Sequence, residues 1–314
     1  MTSVSTAAPE ASPLYRSDAT TMAGRVRRKL STRTASVVSI LIAILWTIPT
    51  FGLFISSLRP EDQIKTTGWW TFFTHPSLTL ENYNEVVFGT SSSSGRLASY
   101  FVNSLIITVP AVLFSVTLAT MAAYALSWLN FRGRDWIFIG VFALQIVPIQ
   151  MALIPMLKLF SDGFAFMPPL GDAGGGFAQV WIAHTCFGLP LGVFLLHNFM
   201  SELPKDLFEA ARVDGAGPAM VFRRIVVPLI TPALASLTIF QFLWIWNDLL
   251  VALVFTASDT RPLTVRLAEL AGTRGNEWQR LTSGAFVSMI VPLIVFMSLQ
   301  RYFVRGLLAG GVKG

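Results

Sequence analysis

The sequence predicts an all-α membrane protein with six transmembrane helices. Of its 314 residues, 53% are hydrophobic and 13% are charged, and the mean hydropathy is +0.61, whereas soluble domains carry about 25% charged residues. Six stretches between consecutive charged residues reach the roughly 20 residues that a spanning helix needs. These stretches are residues 34–58, 97–131, 136–157, 173–201, 225–247 and 281–300.

The first stretch follows a basic flank and could be either a spanning helix or a cleaved signal peptide. It is about twice as long as the apolar part of a signal peptide, and no small-residue cleavage site follows it. We therefore predict an uncleaved first helix. The preceding residues 1–34, rich in Ser, Thr and Ala at their start, are predicted to be a disordered basic tail.

The second to fourth stretches exceed a minimal span, so they must include interfacial or loop residues. The fourth contains the single cysteine, Cys186, which excludes a disulfide within the chain. It also contains His184 and His197, which stand about 20 Å apart along a helix, too far to share a metal ion. We predict no metal site, with His184 as a packed polar residue and His197 at an interface.

Asp248, immediately after the fifth stretch, is the only charge well inside a predicted span. We expect its helix to continue past Asp248, because LLVALVF extends the apolar pattern. The sixth stretch, 281–300, leads into a C-terminal tail at 304–314.

Lysine and arginine placement orients the chain. With the N-terminus inside, fifteen of the 23 lysines and arginines lie on the inner side, as the positive-inside rule requires. Both termini and the 201–224 loop are therefore predicted to be cytoplasmic. The net charge of +6 reflects this topology and not nucleic-acid binding.

The cytoplasmic segment SELPKDLFEAARVDGAG predicts a short helix that projects from the membrane. Ser201 is a possible cap, Pro204 stands in the first turn, and Gly215 with Gly217 ends the helix. Pro218 begins a second short helix. The two helices, joined at glycine, form a rigid elbow.

Leu207, Phe208 and Ala211 form an apolar strip on the first short helix, with charged residues around it. Periodicity alone supports two interpretations equally: a low surface that fits a groove of another protein, or an amphipathic helix lying on the membrane. In the docking interpretation, Glu209 and Ala211 face the groove.

Catalytic and nucleotide-binding motifs are not found in the sequence. The glycine clusters at 171–176 and 310–314 lack the phosphate-loop spacing, and neither a nucleophile elbow nor a His-Glu-x-x-His pair occurs. We predict that the chain is not an enzyme and does not hydrolyse ATP itself.

The segment EAARVDGAGPAMVFRRIVVP, residues 209–228, resembles the EAA loop of ABC importer permeases. NSLIITVP, AAYALSWLNFRGRD and QRYFVRGLLAGGVKG resemble the carbohydrate-uptake, MalG-like branch of that family, over roughly residues 35–314. The resemblance implies a type I importer transmembrane domain at 35–303 with its coupling loop at about 201–228. The residues it assigns to ATPase coupling are Leu207, Phe208, Glu209, Ala210, Ala211, Asp214, Gly215, Ile225 and Pro228.

The resemblance also implies the partners and the mechanism. A second homologous permease subunit, two cytoplasmic ABC ATPase subunits that carry ATP and magnesium, and an extracytoplasmic solute-binding protein act with this chain in the cell membrane of a prokaryote. The chain itself would bind no cofactor. The movement of the ATPase subunits as they close on ATP would be transmitted through the loop to the spanning helices and would drive alternating access. The transported substrate would be a sugar, with glucose or an α-glucoside as candidates.

Gln241, Trp244 and Asp248 recur at helical spacing in QFLWIWND, with Asn247 beside them. An indole stacks on the C–H face of a sugar, amide and carboxylate groups bind its hydroxyls, and an intramembrane Asp indicates a wet cavity. The alternative is an aromatic belt near the outer interface, with Asp248 reaching water.

Two competing functions stay open at this point. An ABC permease for a non-sugar solute differs only in the segments that flank the coupling loop. An ion-driven secondary transporter predicts internal repeats and several embedded charges, and the sequence shows neither.

Overall fold

The computed structural model describes residues 22–89, 97–163, 168–170, 175–272 and 277–311, of which 22–32 and 301–311 are described by their backbone course. The chain divides into two compact units, residues 1–55 and 56–314. All regular secondary structure in the described residues is helical.

The helices are numbered here in chain order. They are α1 (Met22–Ser57), α2 (Glu61–Thr66), a 3-10 helix (Trp69–Phe73), α3 (Glu81–Phe88), α4 (Leu97–Trp128), α5 (Arg134–Leu144), α6 (Ile149–Asp162), α7 (Phe177–Ser201), α8 (Lys205–Val213), α9 (Pro218–Val221), a π-helical turn (Phe222–Val226), α10 (Val227–Leu229), α11 (Thr231–Trp246), α12 (Leu250–Phe255), α13 (Leu263–Ala271) and α14 (Trp278–Gly311).

The predicted count of six spans is confirmed in a modified form. Four helices of the described chain are long and apolar enough to cross a membrane, within α1, α4, α7 and α14, and the number is six if each of two bent helix pairs counts as one span. The hydroxyls of Ser39 and Thr47 in α1 donate to carbonyls four residues earlier. Such bonds satisfy polar groups within an apolar helix.

The third predicted span, 136–157, is not one straight helix. It is divided between α5 and α6, whose axes differ by 104°. Pro148 stands immediately before α6. Proline lacks an N–H donor and disfavours helical geometry in the preceding residue, which explains a break that the uninterrupted apolar sequence did not reveal.

The fifth predicted span is also wrong in its limits. Its straight part is α11. The preceding segment, Pro218–Leu229, makes an angle of 75° with α11. The expected continuation past Asp248 is contradicted, because α11 ends at Trp246 and α12 begins at Leu250.

The predicted terminal regions differ from the structure as well. Helix α1 begins at Met22, so the disordered tail predicted over 1–34 is wrong for residues 22–34. Residues 1–21, most of the glycine cluster at 171–176 and residues 312–314 lie outside the described residues. The segment 304–314 begins as part of α14, which extends to Gly311.

Within the unit 56–314, the most extensive contact between two helices is that between α4 and α7. Fully buried small side chains, Ala119 and Ala123 on α4 and Ala183 on α7, allow the close approach. The indole N–H of Trp181 donates to the carbonyl of Ile106 at 2.8 Å. One apolar cluster joins this pair to α8 and α9 at one end, and a second joins it to α6, α11 and α12 at the other.

Candidate functional site

The short helix α8 is held against the ends of the two central helices. It begins after Pro204, which occupies the N-cap position; Ser201 belongs to the last turn of α7 and is therefore not its cap, contrary to the prediction. Phe208 is 4% exposed and stacks on Trp128 of α4, with ring centroids 3.6 Å apart and planes at 16°. The indole N–H of Trp128 donates to the carbonyl of Met200 at 3.1 Å, which joins α4, α7 and α8.

The predicted apolar strip of α8 is split between two faces. Phe208 and Ala211 are buried in the protein's own core, so the expectation that Ala211 faces a partner's groove is contradicted. Phe208 and Ala211 are three residues apart in sequence and therefore share one face of α8. The opposite face is open: Leu207 is 42% exposed and Val213 86% exposed, and Glu209, Ala210 and Asp214 are also exposed.

The end of α8 confirms the predicted glycine stop. Gly215 has a φ of 80°, and its N–H donates to the carbonyl of Arg212 at 3.0 Å, while that of Ala216 donates to the carbonyl of Ala211 at 2.9 Å. This pair of bonds is the Schellman motif, which favours glycine at the left-handed position. The direction in which the chain leaves α8 is therefore set by backbone hydrogen bonds.

The second half of the elbow is also fixed to α4. Pro218 begins α9, as predicted, and the Tyr124 hydroxyl donates to its carbonyl at 3.3 Å. The Tyr124 ring lies 4.9 Å from that of Phe222. Of the residues assigned from the family resemblance, Ile225 packs against the buried cluster and Pro228 is exposed in α10.

A cavity of about 530 Å³ lies between the α5–α6 break, α7 and α11. Gln241 and Trp244 line it, together with Gln145 and Phe187. The structure thus brings two of the four predicted path residues to one concave surface. Asn247 and Asp248 are not among its lining residues.

Gln241 connects α11 to α7. Its side-chain N–H donates to the carbonyl of Gly188 at 3.0 Å. A Cβ at Gly188 would lie 2.6 Å from the Gln241 Oε1 and 2.8 Å from the Ser115 Oγ. A side chain at this position would therefore displace the Gln241 amide or the Ser115 hydroxyl, and the amide has a structural role besides its place beside the cavity.

Asp248 lies in the break between α11 and α12. Because α11 ends before it, the carboxylate does not extend a stripe; its oxygens accept the N–H groups of Val251 and Ala252, at 3.4 and 3.0 Å. It thus caps the start of α12. His184, predicted to be a packed polar residue, is fully buried. Its Nε2 lies 3.7 Å from the Asp248 carboxylate, and its ring lies edge-on to Trp244 at 5.4 Å; the sequence does not indicate either contact.

That juxtaposition depends on tertiary structure. The only sequence signal was the presence of two polar residues in apolar segments, without any spacing that relates them. Among the described residues, no group of three or more His, Cys, Asp or Glu side chains lies close enough to hold a metal ion.

Comparison with known proteins places this geometry in a family context. The family model described as "Binding-protein-dependent transport system inner membrane component" matches residues 115–308. The osmoprotective compounds uptake permease GgtD of Synechocystis sp. is 52% identical over 278 residues, covering 87% of this chain and 89% of that protein. The alpha-glucoside transport permease AglG of Rhizobium meliloti is 37% identical, with 92% and 99% covered. The trehalose/maltose transport permease MalG of Thermococcus litoralis is 32% identical, with 88% and 95% covered.

Two solved structures have a similar fold. A bacterial ABC transporter involved in the import of alginate matches with a TM-score of 0.67 at 21% identity, over 89% of this chain and 98% of that one. The bacterial alginate transporter in complex with an alginate pentasaccharide-bound periplasmic protein matches with a TM-score of 0.61 at 15% identity, over 88% and 96%.

Proposed function

The chain belongs to the family of binding-protein-dependent transport system inner membrane components, as an ABC importer permease, and on that premise we propose that it couples sugar import to ATP hydrolysis by a separate subunit. The open face of α8 docks on a cytoplasmic ATPase, which carries the ATP and magnesium. The chain itself is a non-catalytic subunit.

One observation carries the proposal, namely the two-sided character of α8. One face buries Phe208 against Trp128 of the spanning helix α4, and the other exposes an apolar residue, Val213, at 86%. A helix that is anchored on one face and carries exposed apolar side chains among charged ones on the other is suited to docking on a partner protein. Since the elbow is fixed by the Gly215 motif and by Tyr124, displacement of the docked face is transmitted to α4 and not dissipated in the loop.

A sugar is the proposed substrate class, and the cavity beside Gln241 and Trp244 is this subunit's part of its path. The alpha-glucoside and trehalose/maltose permeases named above support the class, and an indole beside an amide provides the stacking and hydrogen bonding that a pyranose needs. A second homologous permease subunit completes the path. The osmoprotective compounds permease, at 52% identity, favours a second candidate substrate among such compounds.

The proposed orientation follows the distribution of lysine and arginine, with α8 in the cytoplasm and the α1–α4 connection outside, where a solute-binding protein delivers the sugar. A membrane-impermeant thiol reagent applied to intact cells tests it, in a chain whose Cys186 is replaced by alanine. A cysteine at Thr74 is expected to react and one at Ala219 is not. The reverse pattern would overturn the orientation.

The coupling role is tested by charge reversal on the open face of α8. Glu209→Lys is expected to leave the permease inserted and paired, yet to weaken ATPase retention and abolish sugar-stimulated ATP hydrolysis. Asp135→Lys changes an exposed acid in the first turn of α5, outside the 201–228 loop and on the same proposed cytoplasmic side, by the same charge and is expected to retain stimulation. Full stimulation in Glu209→Lys would contradict the proposal.

Ala211→Trp is not a test of docking. Ala211 is 8% exposed, so an indole there overpacks the core between α8 and the spanning helices. Its effect would report the stability of the elbow.

A further inference from the structure

A polar cleft of about 550 Å³ lies between α2, α3 and the start of α14. None of the residues that line it lines the cavity beside Trp244 or belongs to the elbow. Its charged lining consists of one lysine and four carboxylic acids, Glu61, Asp62, Glu81 and Glu85. The cleft is therefore strongly acidic in a chain whose net charge is +6.

The walls of the cleft are fixed by buried polar side chains. Arg59 is 2% exposed, and its guanidinium donates to the Gly68 carbonyl and the Thr71 hydroxyl, both at 3.0 Å. Asn82, 4% exposed, donates to the carbonyls of Ser57 and Arg59 at 3.0 and 2.8 Å. The connection that carries Glu61 and Asp62 is thus tied to the helix that carries Glu81 and Glu85.

Two of the four carboxylates have a partner within the chain. Lys65 binds Glu61 one turn away, and Arg280 binds Glu85 with an N–O distance of 3.3 Å. Asp62 and Glu81 make no ion pair with any residue that the structure describes. Each stands in the first turn of a helix, where the helix dipole favours an acid, but the dipole does not account for both acids lining one cleft.

Gln279 supplies a second, independent observation. It lines the cleft and is 6% exposed, and its Oε1 is buried without a hydrogen-bond partner among the described residues. A buried amide oxygen without a donor is costly. Together with Asp62, which interacts electrostatically with the buried Arg59 guanidinium, and with Glu81, it gives the cleft three acceptors without an ion pair or donor among the described residues.

The chemistry of the lining selects a cation that carries N–H groups. No three acids of the described chain lie close enough to hold a metal ion. The described lining also contains no aromatic side chain on which a sugar ring could stack. A primary ammonium or a guanidinium, by contrast, donates to carboxylate and amide oxygens at once.

We propose that this cleft receives a lysine or arginine side chain of the solute-binding protein as it docks on the transporter. The proposal rests on the proposed function, which places the α1–α4 connection and the start of α14 on the outer side. The pairing adds electrostatic steering to docking, so binding is expected to depend on ionic strength.

The test uses the assembled transporter in nanodiscs and the purified cognate solute-binding protein as the probe. In the double variant Asp62→Asn, Glu81→Gln, the Kd at about 50 mM salt is expected to rise about 10-fold, and the difference from wild type is expected to shrink at about 500 mM salt. Asp162→Asn removes an exposed acid outside the cleft and is expected to leave the Kd within about twofold of wild type.

Three results would overturn the proposal. The double variant could bind with the wild-type Kd and salt dependence while melting at a lower temperature, which would restrict the two acids to stabilising their helices. Asp162→Asn could weaken binding equally, which would make the effect one of general charge. If wild-type transporter bound no solute-binding protein, the proposed function itself would fail; normal wild-type binding with an unaffected double variant refutes the cleft alone.

Discussion

Gly215→Val changes the elbow at a single backbone position. The glycine has a φ of 80°, a region in which L side chains cost about 1–2 kcal/mol and β-branched ones more. No atom lies within 4 Å of the Cβ that a substitution would add. The whole penalty is therefore conformational, and it is relieved only if the end of α8 unwinds or the elbow leaves α8 at another angle.

Gly217→Val provides a matched control two residues away. Gly217 has φ −72° and ψ 162°, an extended conformation that any residue adopts, and its Cβ position is also open. Both glycines are exposed, so the two variants add the same side chain to the same loop. They differ in backbone conformation and in one further respect, since Gly217 is the N-cap of α9, where valine is less favourable than glycine. Gly215→Asn is expected to fall between them, since Asn tolerates the left-handed region.

Sugar-stimulated ATP hydrolysis of the reconstituted complex is the assay, with thermal unfolding measured alongside. We expect Gly215→Val to lose most of the stimulation and at least about 1–2 kcal/mol of stability, and Gly217→Val to retain both. Equal stimulation in the two valine variants would refute the claim that the elbow's fixed angle transmits the motion. Equal loss in both would show that bulk, and not backbone conformation, is what the loop rejects.

Further predictions concern the buried contacts and the cavity. Phe208→Ala is expected to destabilise the protein by about 3–5 kcal/mol because it removes the buried ring stacked on Trp128, whereas Leu207→Ala, on the open face, is expected to cost under about 0.5 kcal/mol; chemical denaturation compares them, and equal costs would contradict the two-sided helix. Gly188→Ala is expected to cost about 1–3 kcal/mol by forcing Gln241 away, while Gly140→Ala, where nothing lies within 4 Å, is expected to be neutral or stabilising in the same melting assay. Trp244→Ala is expected to raise the sugar concentration for half-maximal uptake without affecting assembly; unchanged uptake kinetics would favour the aromatic-belt interpretation.

Much of the architecture could be predicted because the bilayer demands long uncharged runs and because turns have specific chemistry. Gly215 and Pro218 delimit the elbow in sequence and in structure. The breaks before Pro148 and after Trp246 were not predicted. The apolar pattern runs through both, and hydropathy does not show where the helix axis changes direction. The inward orientation of Phe208 was also missed, because an amphipathic period does not show which neighbour covers the apolar face.

The cluster of His184, Trp244 and Asp248 was beyond sequence reasoning for the same kind of reason. Its members come from α7, α11 and the break that follows α11, and no spacing relates them. Asp248 looked like a member of a helical stripe only while the helix was assumed to continue. Once α11 ends at Trp246, the carboxylate becomes the cap of a new helix.

Cross-linking from Val213 tests the central claim most directly, that the open face of α8 docks on the ATPase. In a chain with Cys186→Ala, a photoactivatable reagent is attached to Val213→Cys, at the 86% exposed position, or to Thr74→Cys on the proposed outer side. The assembled complex is then irradiated and its adducts are identified by mass spectrometry. We predict an adduct between the Val213→Cys chain and the ATPase subunit, and no adduct between the Thr74→Cys chain and the ATPase subunit. An intact, ATP-hydrolysing complex in which Val213→Cys yields only lipid adducts would contradict the account.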